Sequence, residues 1–181
     1  MDILLDMDGV VTEFVPTLID QYNFLTGEHV KVEQIRGRKT EDFVLDPPTI
    51  KRIKNSVGFL RGLPPAEGAV DAISKLVSDG HKILFVSVNT NCATSGNEKR
   101  EWLNFYFSKV WQKAPLITTP PEFKKYIRGD VLVDDDHKNL VDLHPDTKGL
   151  LWHQQYNASI TGFERVYGWD HLEDWIYKNE K

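Results

Sequence analysis

The chain has 181 residues, 40% hydrophobic and 27% charged, with a formal net charge of −5. That composition suits one globular core carrying a modest insertion, and it excludes a disordered or fibrous chain. Dispersed basic residues on an acidic chain argue against extended nucleic acid as the main ligand, and a single cysteine, Cys92, leaves neither an intramolecular disulfide nor a thiolate metal cluster.

The N-terminus, Met1-Asp2-Ile3-Leu4-Leu5, has no basic region followed by a long apolar stretch, and no segment reaches membrane-span length. A cytoplasmic, reducing setting is expected. The first apolar run, 3–5, ends in Asp6-Met7-Asp8-Gly9-Val10-Val11. On an extended backbone, residues i and i+2 point the same way and lie roughly 7 Å apart, so two acids are aimed at one small volume. Such a pair suits one carboxylate attacking an electrophile while its neighbour handles a proton, with a metal ion within reach of both. An Asp-rich turn after an edge strand is the plainer alternative.

Residues 14–63 offer helical material at 16–25 and 48–57 without a convincing buried strand, and Pro64-Pro65 with Gly68 close the segment as the return of an insertion. A helix is expected over 66–79, where Val70, Ile73, Leu76 and Val77 recur at helical spacing before Gly80. It leads into a strand over 82–88 that ends in a hydroxyl, Ser87. A helix over 98–107 and short strands at 116–117, 131–133 and 150–152 follow, and 169–177 reads as an amphipathic helix with a core-facing aromatic stripe. Alternating strands and helices predict an α/β fold with a parallel sheet covered on both faces. The domain boundaries expected are a core from 1–13 with 64–181, and a small helical insertion over 14–63.

Four features fall where such sheets bind ligands, at the carboxyl ends of the strands. They are Asp6 with Asp8, Ser87, a loop lysine (Lys124 or Lys125), and Asp134-Asp135-Asp136 directly after Val131-Leu132-Val133. Converging carboxylates repel unless a cation neutralises them, and oxygen ligands without His or Cys favour Mg²⁺ over zinc. With a lysine and a hydroxyl nearby, the set suits an incoming phosphate attacked in line by a carboxylate. Taken singly, Ser87 reads as a turn hydroxyl, the lysines as solvated, and the acidic run as an N-cap to a helix at Lys138-Asn139-Leu140.

In order and spacing the four motifs resemble the haloacid dehalogenase superfamily over essentially the whole chain. Within it, Leu5-Asp6-Met7-Asp8-Gly9-Val10-Val11 with Phe14, Leu63-Pro64-Pro65 with Gly68-Ala69-Val70, Glu98-Lys99-x-x-Trp102 and Leu132-Val133-Asp134-Asp135 resemble the 5'(3')-deoxyribonucleotidases. The resemblance implies a three-layer Rossmann-like sandwich with a small helical cap inserted after the first strand. It also implies a Mg²⁺-dependent phosphomonoesterase acting through an aspartyl-phosphate on a nucleoside monophosphate, with a deoxyribonucleotide favoured. Asp6 is then nucleophile and metal ligand. Asp8 is general acid and base and lends the metal its backbone carbonyl, Asp135 is a further ligand, and Asp134 supports it. Ser87 and Lys124 hold the phosphoryl oxygens, with Lys124 preferred over Lys125 by its spacing to Asp130. Lys99 matches a second phosphate-contacting lysine, Phe14 a base-contacting aromatic, and Phe43 is a second aromatic candidate. Val88 stands where the nucleotidases tend to carry a second hydroxyl, and Asp136 where they often have arginine.

Another small phosphate ester or a nucleic-acid end remains an alternative substrate under the same chemistry. A phosphoacceptor signalling domain is a distant alternative, because there the acidic pair follows the first strand, whereas here it comes after the lysine. The expected partner is a small-molecule phosphate ester, with no membrane and no extended nucleic acid, in a monomer or homodimer.

Overall fold

The computed structural model describes residues 1–35, 40–108 and 115–180. Six strands form one sheet: β1 (Asp2–Leu5), β2 (Lys82–Ser87), β3 (Leu116–Thr118), β4 (Val131–Asp134), β5 (Lys148–Trp152) and β6 (Glu164–Val166). Their order is β3-β2-β1-β4-β5-β6, and every neighbouring pair is parallel. β1 lies inside the sheet, paired with β2 on one side and β4 on the other, and its residues alternate between the two faces. Ile3 and Leu5 enter the core on one face, while Leu4 enters the core on the other, and all three are essentially inaccessible. A strand apolar on both sides needs cover on both sides, and each such side chain contributes about 1.5–3 kcal/mol by leaving water.

Helices α3 (Ala69–Ser78) and α5 (Trp169–Asn179) cover the first face, with α4 (Ser95–Tyr106) supplying Trp102 and Leu103 to the same cluster. The second face is covered largely by turns, through Leu140, Ile160 and Phe163. No helix among the described residues is long and apolar enough to cross a membrane.

Between β1 and α3 lie α1 (Phe14–Thr26) and α2 (Pro47–Lys54). Gly27 ends α1 at φ 76°, a left-handed conformation that costs glycine little. Pro47 opens α2 after Asp46, whose carboxylate accepts from the Thr49 N–H at 3.3 Å. Their apolar faces, with Phe59, Leu60 and Leu63, form a cluster of their own, distinct from both faces of the sheet. The segment leaves and returns as two paired strands of main chain, with Ala66 N–H donating to Val11 O at 2.8 Å and Glu13 N–H to Pro64 O at 3.0 Å.

Several boundaries differ from expectation for local reasons. Helix α3 starts at Ala69 rather than 66 because Gly68, at φ 79°, turns the chain just before it. Helix α4 starts three residues earlier than expected, at Ser95. A sixth strand, β6, was not expected: Glu164-Arg165-Val166 has a single buried apolar residue and pairs on one side only.

Candidate active site

The three central strands deliver their last residues to one end of the sheet. Asp6 follows β1 and its N–H continues the ladder to Val133 O at 3.0 Å; Ser87 ends β2; Asp134 ends β4. Since β2 and β4 flank β1 on opposite sides, this is the point where the strand order reverses, the place at which open α/β sheets bind their ligands.

Two buried lysines organise the site. Lys124, in a short 3-10 turn over Pro121–Tyr126 and 1% exposed, reaches Asp6 Oδ1 at 2.5 Å and Asp134 Oδ2 at 2.7 Å. Burial works against its charge, but Asp6 and Asp134 outweigh that and hold its pKa above the usual lysine range. Lys99, on α4 and equally buried, donates to Asp8 Oδ2 and to Ser87 Oγ, both at 2.6 Å. The neighbouring Lys125 is half-buried with its ammonium 5.6 Å from the Tyr126 ring centre, outside this network. The two acids of the Asp-x-Asp motif therefore answer to different ammonium groups.

The acidic run after β4 divides its labour. Asp134 is fully buried and saturated: besides Lys124 it accepts from the Asp136 N–H at 2.9 Å and from Asn139 Nδ2 at 3.0 Å. Asp135 accepts from the Tyr156 hydroxyl on its Oδ2, and Asn157 Nδ2 donates to its main-chain oxygen at 2.8 Å. Asp136 is exposed and caps the following turn by accepting from Lys138 N–H at 3.1 Å, with His137 Nδ1 at 3.6 Å. The N-cap reading of this run thus holds for Asp136, and the turn it caps, His137–Leu140, is 3-10 rather than α-helical. Its charge is directed at that turn.

Oxygen atoms of Asp6, Asp134 and Asp135 lie within 4.8 Å of one another, close enough to hold one ion. The Asp8 carboxylate is not in that set; it turns to Lys99. Four carboxylates (Asp6, Asp8, Asp134, Asp135) face two ammonium groups (Lys99, Lys124), which leaves two negative charges when all are ionised. Burial first, and neighbouring carboxylates after it, disfavour ionisation of three of these acids. Burial, then the charge of Asp6, pushes Asp134 up to about 6, and burial with Asp6 and Asp134 raises Asp135 well above the carboxylate range. Asp8 is raised as well, by burial first, with Lys99 pulling the other way. A hard divalent cation matches both the surplus charge and the all-oxygen donor set.

Phe14 and Phe43 lie on the margin of the α1/α2 cluster, Phe14 edge-on to Phe59 at 5.4 Å. Tyr156, from the turn after β5, packs against the same cluster, so the aromatic margin of the inserted segment adjoins the residue that bonds Asp135. The returning leg of the segment is fastened to α4. Buried Glu98 accepts from the N–H groups of Gly58 (2.9 Å) and Arg61 (3.3 Å) and from the Thr94 hydroxyl (2.6 Å), and Trp102 Nε1 donates to Leu63 O at 2.6 Å. Burial disfavours the Glu98 carboxylate, but these donors leave its pKa below the usual value.

The sequence reading did not single out Asn139, Tyr156, Asn157 or the clamping role of Glu98. No spacing rule links a loop tyrosine after the fifth strand to an aspartate after the fourth. Asn139, five residues beyond Asp134, carries a weak signal as an amide beside an acidic run.

A family model described as 5' nucleotidase, deoxy (pyrimidine), cytosolic type C protein matches residues 1–181. A protein of Staphylococcus epidermidis named putative 5'(3')-deoxyribonucleotidase is 25% identical over 185 residues, covering 99% of this chain and 97% of its own length. The human 5'(3')-deoxyribonucleotidase, cytosolic type, is 26% identical over 142 residues, covering 74% and 69%. Among solved structures, a HAD family hydrolase of Deinococcus radiodurans with bound phosphate and sodium superposes with a TM-score of 0.63 at 15% identity, covering 98% of this chain and 94% of that one. The D,D-heptose 1,7-bisphosphate phosphatase of B. bronchiseptica, complexed with magnesium and phosphate, gives 0.57 at 11% identity, covering 99% and 100%.

Proposed function

This chain belongs to the cytosolic type C 5'-nucleotidase family within the haloacid dehalogenase superfamily, and from that premise we propose that it is a Mg²⁺-dependent phosphomonoesterase that hydrolyses a deoxyribonucleoside monophosphate through a phosphoryl group carried on Asp6. The observation that carries the reading is the meeting of Asp6, Lys124, Asp134 and Asp135 at the end of β1, with Asp8, Lys99 and Ser87 alongside.

The carboxylates of Asp6 and Asp135 and the main-chain oxygen of Asp8 would hold the metal, with Asp134 supporting. The ion supplies charge neutralisation, so that an anionic nucleophile can approach an anionic phosphate. Lys124, Ser87 and Lys99 bind the phosphoryl oxygens, which brings the phosphorus in line with a free Asp6 oxygen. Asp6 then forms the bond to phosphorus as the ester bond breaks, and Asp8 gives its proton to the departing sugar oxygen. In the second half Asp8 takes a proton from water as that water attacks phosphorus, which releases inorganic phosphate and returns Asp6. Burial favours the protonated form of Asp8, which suits the first of these duties.

Residues 14–63 would act as a cap that closes over the nucleoside, with Phe14 and Phe43 as the aromatic surface for the base. A cytoplasmic location accords with the free thiol of Cys92 and with the name of the human relative. The substrate half of the reading rests on relatives about one quarter identical. It is tested by kcat/KM across deoxyribo- and ribonucleoside 5'- and 3'-monophosphates and sugar phosphates, with Mg²⁺ present. A deoxyribonucleotide should lead. A sugar phosphate ahead by more than about tenfold, roughly 1.4 kcal/mol in transition-state stabilisation, would overturn the nucleotide assignment.

A further inference from the structure

We infer that Tyr156 is a positioning residue for Asp135: its hydroxyl, backed by the inserted helical segment, fixes the orientation in which that carboxylate meets the metal. The inference rests on the reading of Asp135 as a metal ligand.

Asp134 and Asp135 are neighbours with opposite degrees of restraint. The Asp134 carboxylate is gripped by Lys124, Asn139 and a main-chain N–H. The Asp135 carboxylate, among the described residues, has one hydrogen-bond donor, the Tyr156 hydroxyl. Without it, two torsions of Asp135 have nothing polar to hold them.

Tyr156 is itself held in three ways. Asn157, 3% exposed, donates from Nδ2 to the main-chain oxygens of Asp135 and Trp152, both at 2.8 Å, so the turn carrying Tyr156 is tied to the backbone of the residue its hydroxyl serves. Arg165 in turn donates to Asn157 Oδ1 at 2.9 Å and to Asn157 O at 2.7 Å. Gln154 Nε2 donates to Gly9 O at 2.7 Å, which joins the same turn to the Asp-x-Asp-Gly loop. The ring packs against the α1/α2 cluster.

The loop opposite is shaped to admit this contact. A Cβ built on Gly9, at φ 89°, would stand 2.6 Å from Asp135 Oδ2 and 2.8 Å from the Tyr156 hydroxyl, closer than real Cβ contacts come. Glycine leaves the space in which Asp135 and Tyr156 meet. Partners that orient metal-bound carboxylates affect metal affinity about 10–100-fold when removed.

The test compares Mg²⁺ titrations by calorimetry of the wild type, Tyr156→Phe and Tyr22→Phe. The Phe variant at 156 keeps the ring and loses only the donor. Tyr22, whose hydroxyl serves Glu28 and the Asp46 N–H in the inserted segment, controls for a general loss of stability. Tyr156→Phe should weaken Mg²⁺ binding about 10–100-fold while Tyr22→Phe leaves it unchanged, and its kcat should recover at saturating Mg²⁺ with substrate KM little altered. Mg²⁺ affinity in Tyr156→Phe within about twofold of the wild type overturns the inference while leaving the metal reading intact. No Mg²⁺ binding by the wild type overturns both.

Discussion

Replacing Lys124 by methionine tests the charge balance of the site. The ammonium lies 2.5 Å from Asp6 Oδ1 and 2.7 Å from Asp134 Oδ2, and none of the three residues is more than 5% exposed. Methionine fills much of the volume but leaves two buried carboxylates facing each other. Removing one partner from a buried ion pair costs about 3–5 kcal/mol, so at pH 7 in EDTA the urea midpoint should fall by roughly 1.5–2.5 M for an m-value near 2 kcal/mol/M. The pH dependence has a definite sign. Asp134 binds its proton more tightly in the folded protein, at about 6 against an ordinary 3.8. Its ionisation therefore destabilises the fold, and that penalty is relieved as the pH falls from above 6 towards 4. For the wild type this amounts to about 3 kcal/mol, from roughly two pKa units at 1.36 kcal/mol each. Without Lys124 the folded pKa rises further, so the gap between the two proteins should narrow as the pH falls from 7 towards 6, where only the variant is still being relieved of its penalty. Comparing the two chains cancels His81 and His153, whose pKa values burial lowers and which lose stability on acidification in both. A gap below about 1 kcal/mol at pH 7, or one unchanged between pH 7 and about 4.5, would mean that Lys124 contributes no more than an exposed surface pair does.

Gly9→Ala should destabilise by about 2–4 kcal/mol in urea, from roughly 1–2 for a left-handed residue with the remainder from the clash with Asp135 and Tyr156; an unchanged midpoint contradicts that geometry. Glu98→Gln removes the charge that gathers the N–H groups of Gly58 and Arg61 and should cost about 1–3 kcal/mol. The same variant should raise the KM for substrate while Mg²⁺ affinity stays put, which calorimetry beside steady-state kinetics will show. Removing divalent ions with EDTA should abolish phosphate release from p-nitrophenyl phosphate, and added Mg²⁺ should restore it; full turnover in EDTA would contradict the metal reading.

The sheet was legible because its strands are short apolar runs bounded by turn residues, and Ile3-Leu4-Leu5, apolar at every position, is buried on both faces as a covered parallel sheet requires. The edge strand β6 was not, since Glu164 and Arg165 carry no apolar signal and edge pairing asks for none. In the site, Asp6, Asp8, Ser87, Lys124 and Asp134-Asp135 were legible as a set because strand ends converge in any sheet of this kind. Their pairing was not: nothing in the spacing says that Lys99 takes Asp8 and Ser87 while Lys124 takes Asp6 and Asp134. Tyr156 was invisible for a related reason, because it reaches Asp135 only through the return of the chain after β5. Asp136 carried two readings at once, and the structure separates them by residue: Asp136 caps the turn, while its two predecessors face the carboxylate cluster.

In the proposed reaction a carboxylate oxygen of Asp6 receives the phosphoryl group. Acid-quenching the wild type during turnover of a deoxyribonucleoside monophosphate with Mg²⁺, followed by peptide mass spectrometry, reads this directly. One phosphoryl group should appear on the peptide containing Asp6, should be removed by hydroxylamine as an acyl phosphate, and should be absent from Asp6→Asn, which releases no phosphate. Phosphate release by a folded Asp6→Asn variant, or a phosphoryl group on another residue, would contradict the account.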